Sequence, residues 1–157
     1  LDLTKVANDV FEKVATAKVS TSAQEAMDNG FLNENDAISN NADHLIYDAK
    51  QKVLALSKAG YKAPAREKIP VVGEAGYAAM LLGAKSLQLS GYASEHDVKI
   101  AEKLAYVLSG GRIKEGSLID EQVMLDLERE AFLSLIAEPK TQARMQHMLV
   151  KGKPLRN

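Results

Sequence analysis

Apolar residues recur along nearly the whole chain at the spacing of a helix face, and glycine or proline interrupts each run. This pattern leaves little room for a sheet. Strand-like alternation of Val, Ile and Thr is absent, and no Asn-Gly or Asp-Gly pair sits between strand-like runs. The expectation is an all-α fold, an irregular bundle or array of about six to seven helices.

The punctuation sets the elements. Leu3, Val6, Val10, Val14 and Ala17 predict a first helix over Thr4 to Ala17. Ser22 and Glu25 have the spacing of a capping box, in which each side chain satisfies one free amide of the first turn. Gly30 is placed to end that short second helix. Asn40 or Asn41 caps a third helix to about Ala59, with Leu45, Ala49, Val53 and Leu56 on one face. Residues 61–72 hold Pro64 and Pro70 among charged residues and read as a linker.

Gly73 to Ser90 is the most apolar segment. Tyr77, Met80, Leu81, Ala84, Leu87 and Leu89 surround most of its circumference, which predicts a central buried helix. Gly76 and Gly83 share one side of it, at a cost of about 1 kcal/mol each against alanine. A close helix crossing would account for them. Ser94 caps the next helix, with Asp97 in its first turn and Val98, Ala101, Leu104, Ala105 and Leu108 on its inner face. Gly110-Gly111 ends it. Asp120 or Ser117 starts a long helix to Ala137, with Val123, Leu127, Ala131 and Leu135 inward. Pro139 suits the first turn of a last helix that carries Ala143, Met145, Met148 and Leu149 and stops at Gly152.

Composition bounds the function. Lys plus Arg is 20 and Asp plus Glu is 21, so no global field draws nucleic acid or an anionic membrane to the chain. No cysteine is present, which excludes disulfides, thiol catalysis and thiolate metal sites and leans toward the cytoplasm. The longest apolar stretch, Ala75 to Ala84, falls far short of the roughly 20 residues of a membrane span. Leu1 to Ala17 carries five charges that interrupt any secretory core. The chain opens on Leu1, and a piece of a longer protein is the expectation.

Candidate chemistry is sparse. His44, His96 and His147 stand in no metal pattern, and each reads as a surface or cap histidine. Glu121, Asp126, Glu128 and Glu130 crowd one helix, which spacing alone makes a solvated face. Gly110-Gly111-Arg112 follows a helix rather than a strand and reads as a terminator, not a phosphate loop. Neither Gly-x-Gly-x-x-Gly nor Gly-x-Ser-x-Gly occurs. No catalytic or metal-binding residue is assigned. Lys140, Arg144, Lys151, Lys153 and Arg156 make a basic end suited to phosphate groups.

Two separated segments carry a family likeness. One is Lys18 to Glu34, with its Ser22-Ala23 start, Glu25-Ala26 and Gly30-Phe31-Leu32. The other is Leu127-Glu128-Arg129-Glu130-Ala131-Phe132 followed by Arg144 to Pro154. In order and direction they resemble the C-terminal end of the crotonase (enoyl-CoA hydratase/isomerase) family. Ala75-Gly76-Tyr77, Gly91 to Asp97 and Lys103 to Gly111 resemble the longer form found in bacterial 3-hydroxyacyl-CoA dehydrogenases with a hydratase-like part.

The resemblance implies the C-terminal helical part of a multidomain oxidoreductase of fatty-acid β-oxidation. Residues 1–60 would hold crotonase-like helices, and 73–157 a helical extension with the last crotonase-like helices. It implies NAD and a coenzyme A thioester as cofactor and substrate of the parent, with the catalytic groups outside this chain. It implies packing against the N-terminal domains at the acyl-CoA site, a homo-oligomer, and coenzyme A phosphate contacts at Lys151 and Lys153. Met148 and Gly152 depart from the aromatic residue and arginine usual there. The alternative is a stand-alone helical protein–protein interaction module.

Overall fold

The computed structural model describes residues 2–157. Among them are seven α-helices and one pair of two-residue strands. The described chain divides into two compact units, Leu1–Lys18 with Arg66–Asn157, and Val19–Ala65.

In the first unit, α1 (Leu3–Ala15) is capped by Asp2, whose carboxylate accepts from the Lys5 amide at 3.0 Å. It ends two residues before the expected Ala17, which takes a φ of 53° instead. After residue 65 the chain enters β1 (Ile69–Pro70) and then α4 (Gly73–Leu89). The segment read as a linker thus ends in Val71 and Val72, each 2% exposed and among the most buried residues. α5 (Glu95–Leu108) follows, then β2 (Leu118–Ile119), α6 (Glu121–Ile136) and α7 (Pro139–Lys151). β1 and β2 pair antiparallel, Ile69 opposite Ile119 and Pro70 opposite Leu118. That pair is the only departure from the all-α expectation among the described residues.

The core forms where α1, α4 and α5 meet. Val72, Met80 and Ala105 are its buried centre, and Leu3, Ala7, Phe11, Tyr77 and Leu108 pack around them. Gly73 makes the entry to α4 possible. At φ 58° it lies so close to the 113–115 loop that a Cβ would stand 2.4 Å from the Ile113 carbonyl oxygen. Gly110 takes a positive φ where α5 ends and lets Val71 approach.

Two expectations for α4 are corrected. It is not buried all round: Met80 and Ala84 face the core, while Leu82, Leu87 and Leu89 face out, Leu89 at 90% exposure. Gly76 and Gly83 do not make a close helix crossing. Gly76 leaves room for the side chain of Val72, the residue just before the helix, and Gly83 has nothing within 4 Å of where a Cβ would stand. The apolar excess of this helix is therefore spread over two faces, and only one is covered here.

The second unit holds α2 (Ala23–Asp28), a 3₁₀ turn (Ala42–His44) and α3 (Leu45–Lys58). Ser22 caps α2, its hydroxyl accepting from the Glu25 amide at 3.1 Å. The Glu25 carboxylate reaches back past the expected partner to Thr21, accepting from its amide at 2.8 Å and its hydroxyl at 2.7 Å. Gly30 takes the left-handed turn after α2, and Asn41 caps the 3₁₀ turn into α3. No residue of this unit is buried. The face expected inward on α3 stands open, Leu45 and Val53 included.

Candidate functional site

α5 and α6 pack along their lengths because Val98, Ala101 and Ala105 on one and Ala131 on the other are buried. Beside that seam runs an open groove of about 1090 Å³. Its floor is apolar: Ile100, Leu104, Val107, Met124, Leu125 and Phe132, with Val14 of α1 and Ile69 at the edge. Its rim is charged, with Lys103 and Arg129 against Glu121 and Glu128. Of the residues expected inward on α6, Leu127 and Leu135 are half-buried and Ala131 is buried, but Val123 stays largely exposed.

A polar cluster closes one end of the groove, where Asp97 and Arg144 both line it. Ser94 and Asp97 form a full capping box at the start of α5. Arg144 reaches from α7 to the same place. Its Nη1 donates to Asp97 Oδ1 at 2.7 Å, and its Nε donates to Asn157 Oδ1 at 2.7 Å. The Ser94 hydroxyl donates to the Asn157 backbone oxygen at 2.9 Å. Asn157 Nδ2 donates back to the Lys140 carbonyl at 3.2 Å. Burial pushes the Asp97 carboxyl up, but the Ser94 amide and then the Arg144 guanidinium outweigh it and hold its pKa below the ordinary carboxylate value.

His96 is 3% exposed, which corrects its reading as a surface histidine. α7 lies over this turn of α5, and His96 Nε2 is hydrogen-bonded to Thr141 Oγ1 at 2.9 Å. Its pKa is lowered, first by burial and then by the charges of Arg144, Lys140 and Lys99, with Glu138 opposing. Glu138 itself is paired with Lys99, which lowers its pKa. A second hollow of about 510 Å³, lined by Glu95, His96, Lys99, Glu102, Glu138 and Lys140, adjoins the cluster.

The remaining candidates lie apart. His44 sits in the 3₁₀ turn of the other unit, and His147 is half-buried on α7. Lys151 is the last residue of α7 and Lys153 follows Gly152; both are exposed, and neither makes an ion pair among the described residues. Lys151 suits that end of the helix dipole. Arg144 does not belong to this basic end, because its charge is turned inward onto Asp97. Arg112 belongs to a surface trio: its guanidinium pairs with Glu74 at 2.6 Å and lies 5.8 Å from the Tyr77 ring centroid. No group of three metal-ligating side chains is gathered among the described residues.

The Arg144 cluster was missed in the sequence. The signal available was Thr141, Arg144 and His147 at helical spacing, a polar stripe that runs beside Met145, Met148 and Leu149.

In class, the chain is all-α, and its larger unit carries an apolar groove with a polar cluster at its end; no family model and no solved structure matches it. Over 156 residues, 99% of its length, it is 59% identical to a probable 3-hydroxyacyl-CoA dehydrogenase of Bacillus subtilis. The chain spans 20% of that protein's length.

Proposed function

We propose that this chain is the C-terminal helical part of a longer 3-hydroxyacyl-CoA dehydrogenase with a crotonase-like region. The parent would oxidise a 3-hydroxyacyl-CoA with NAD in cytoplasmic fatty-acid β-oxidation. The observation that carries the reading is the 59% identity, which extends over 99% of the chain. The open apolar faces support it, since α3, α4, α6 and α7 all present large side chains that a neighbouring domain would cover. Packing against the N-terminal domains at the acyl-CoA site and supporting a homo-oligomer are the roles this gives to the chain.

NAD does not fit the residues described. The described residues offer only two-residue strands, and no Gly-x-Gly-x-x-Gly occurs, so a dinucleotide site belongs elsewhere in the parent. Coenzyme A phosphates fit better: Lys151 and Lys153 are exposed cations on either side of the α7 terminus.

The test has two parts. The coding frame upstream of Leu1 should continue and encode a Gly-x-Gly-x-x-Gly turn after a strand. The product of the whole frame should form NADH from a 3-hydroxyacyl-CoA, and the purified 157-residue chain should not. A start codon at the boundary, or turnover by the chain alone, overturns the reading.

A further inference from the structure

Asn157 is bonded through every polar atom it can offer to the start of α5 and to α7. Its Oδ1 accepts from Arg144 Nε at 2.7 Å. Its backbone oxygen accepts from Ser94 Oγ at 2.9 Å and from Arg144 Nη2 at 3.2 Å. Its Nδ2 donates to the Lys140 carbonyl at 3.2 Å. The two oxygens take the edge of the guanidinium that Asp97 leaves over, in the manner of a carboxylate meeting an arginine fork.

The segment that brings Asn157 there has no helix or strand of its own. Gly152 turns the chain at φ 63°, Lys153, Pro154 and Arg156 are exposed, and Leu155 is half-buried. Such a segment past a helix is ordinarily loose unless it is tied down. Its length is close to what the return path needs. α7 rises about 16 Å from Lys140 to Lys151 at about 1.5 Å per residue. Six residues, from 151 to 157, reach about 20 Å when extended. The segment therefore runs back along α7 with little slack.

α7 depends on such a tie. It buries no residue, and its apolar stripe faces out, Leu149 at 86% exposure. What seats it on α5 is polar: Arg144 on Asp97, Thr141 on His96, and Glu138, just before the helix, on Lys99. An element with so little buried apolar surface opens at lower cost than the core helices. Arg144 and Asp97 also line the end of the groove, so the seat of α7 decides whether that end is shut.

We propose that residues 152–157 are a strap and Asn157 its clasp. Closed, the strap holds α7 across the start of α5 and shuts the polar end of the groove. Open, it lets α7 lift, which bares His96 and lengthens the groove. The strap is a property of this chain's own residues and stands apart from the parentage of the chain.

His96 is the reporter, since it is 3% exposed beneath α7 while His44 is exposed in the other unit. Diethyl pyrocarbonate labelling, read by peptide mass, should modify His44 fast and His96 slowly in the 157-residue chain. Asn157→Ala removes the Arg144 Nε and Lys140 bonds. It should raise His96 labelling and amide exchange over α7 by about tenfold or more, the effect of losing hydrogen bonds to a charged group. Deleting Lys153–Leu155 keeps Asn157 but cuts the reach from Lys151 to about 10 Å. That chain should match or exceed the alanine variant. Arg156→Ala changes an exposed strap residue and should leave both readouts as in the wild type. Exchange over α4 should stay slow in all three. Unchanged His96 labelling in Asn157→Ala and in the shortened chain overturns the proposal. So does an equal rise in Arg156→Ala, or a rise that spreads to α4, because the clasp would then not be what holds α7.

Discussion

His96 shows how one residue can make the fold sensitive to pH. It lies beneath α7 with three cations near it, Arg144, Lys140 and Lys99, and one opposing carboxylate, Glu138. Its folded pKa is therefore below 6.5, the ordinary value it regains on unfolding. Below that value the unfolded chain binds a proton that the folded chain refuses, so stability falls as pH drops. Above it both forms are neutral and the full contribution is present. Urea unfolding should show stability rising between about pH 5 and 7, with a shallower slope in His96→Gln. Equal slopes would remove His96 from the account. Two glycines give a contrasting pair. Gly73→Ala forces a positive φ on alanine and sets its Cβ 2.4 Å from a backbone oxygen, so a loss of about 3 kcal/mol or more is expected. Gly83→Ala meets nothing within 4 Å in an exposed helical position and should gain about 0.5–1 kcal/mol. Thermal melts of the two variants should move in opposite directions.

At the scale of the element, α7 is held by polar contacts rather than by its apolar face. Arg144→Ala leaves the half-buried Asp97 without its cation and releases Asn157, for a loss of about 2–3 kcal/mol. Arg144→Lys keeps the charge but not the fork, and should lie between alanine and wild type. In a double-mutant cycle with Asp97→Asn, a coupling near zero would show that the pair does not fix α7. This arrangement explains what was legible. The caps at Ser94, Ser22 and Asn41, Pro139 at the start of α7 and the glycine stops could be read because each acts within its own turn. The inward face of α7 could not. Hydrophobic periodicity assumes that the apolar stripe finds the core, and here Met145, Met148 and Leu149 face out because the polar stripe meets the start of α5. The same assumption misplaced Leu87 and Leu89 on α4 and Val123 on α6.

For the whole molecule, the unequal cover of its apolar residues is the feature that relates fold to role. The unit Leu1–Lys18 with Arg66–Asn157 has a core at Val72, Met80 and Ala105, and its helices were counted and ordered correctly from periodicity. The unit Val19–Ala65 has side-chain caps at α2 and at the 3₁₀ turn that leads into α3, and no buried residue. Its α3 was legible as a helix because its residues alternate at helical spacing, but what covers its face was not, since a periodic pattern does not say which surface it meets. A helix of 14 residues with Ile46 at 81% exposure and Val53 and Tyr47 also open has little but its own hydrogen bonds to hold it. Isolated helices of about that length are marginal in water. Amide hydrogen exchange of the 157-residue chain should therefore be fast over α3 and slow over α4 and α5, where Met80 and Ala105 are buried. In the product of the longer frame, α3 amides should gain protection as a neighbouring domain covers Leu45, Ile46 and Val53. Protection of α3 that is already complete in the 157-residue chain would mean that its apolar face is covered without the parent, and the case for a missing domain over that helix would fall.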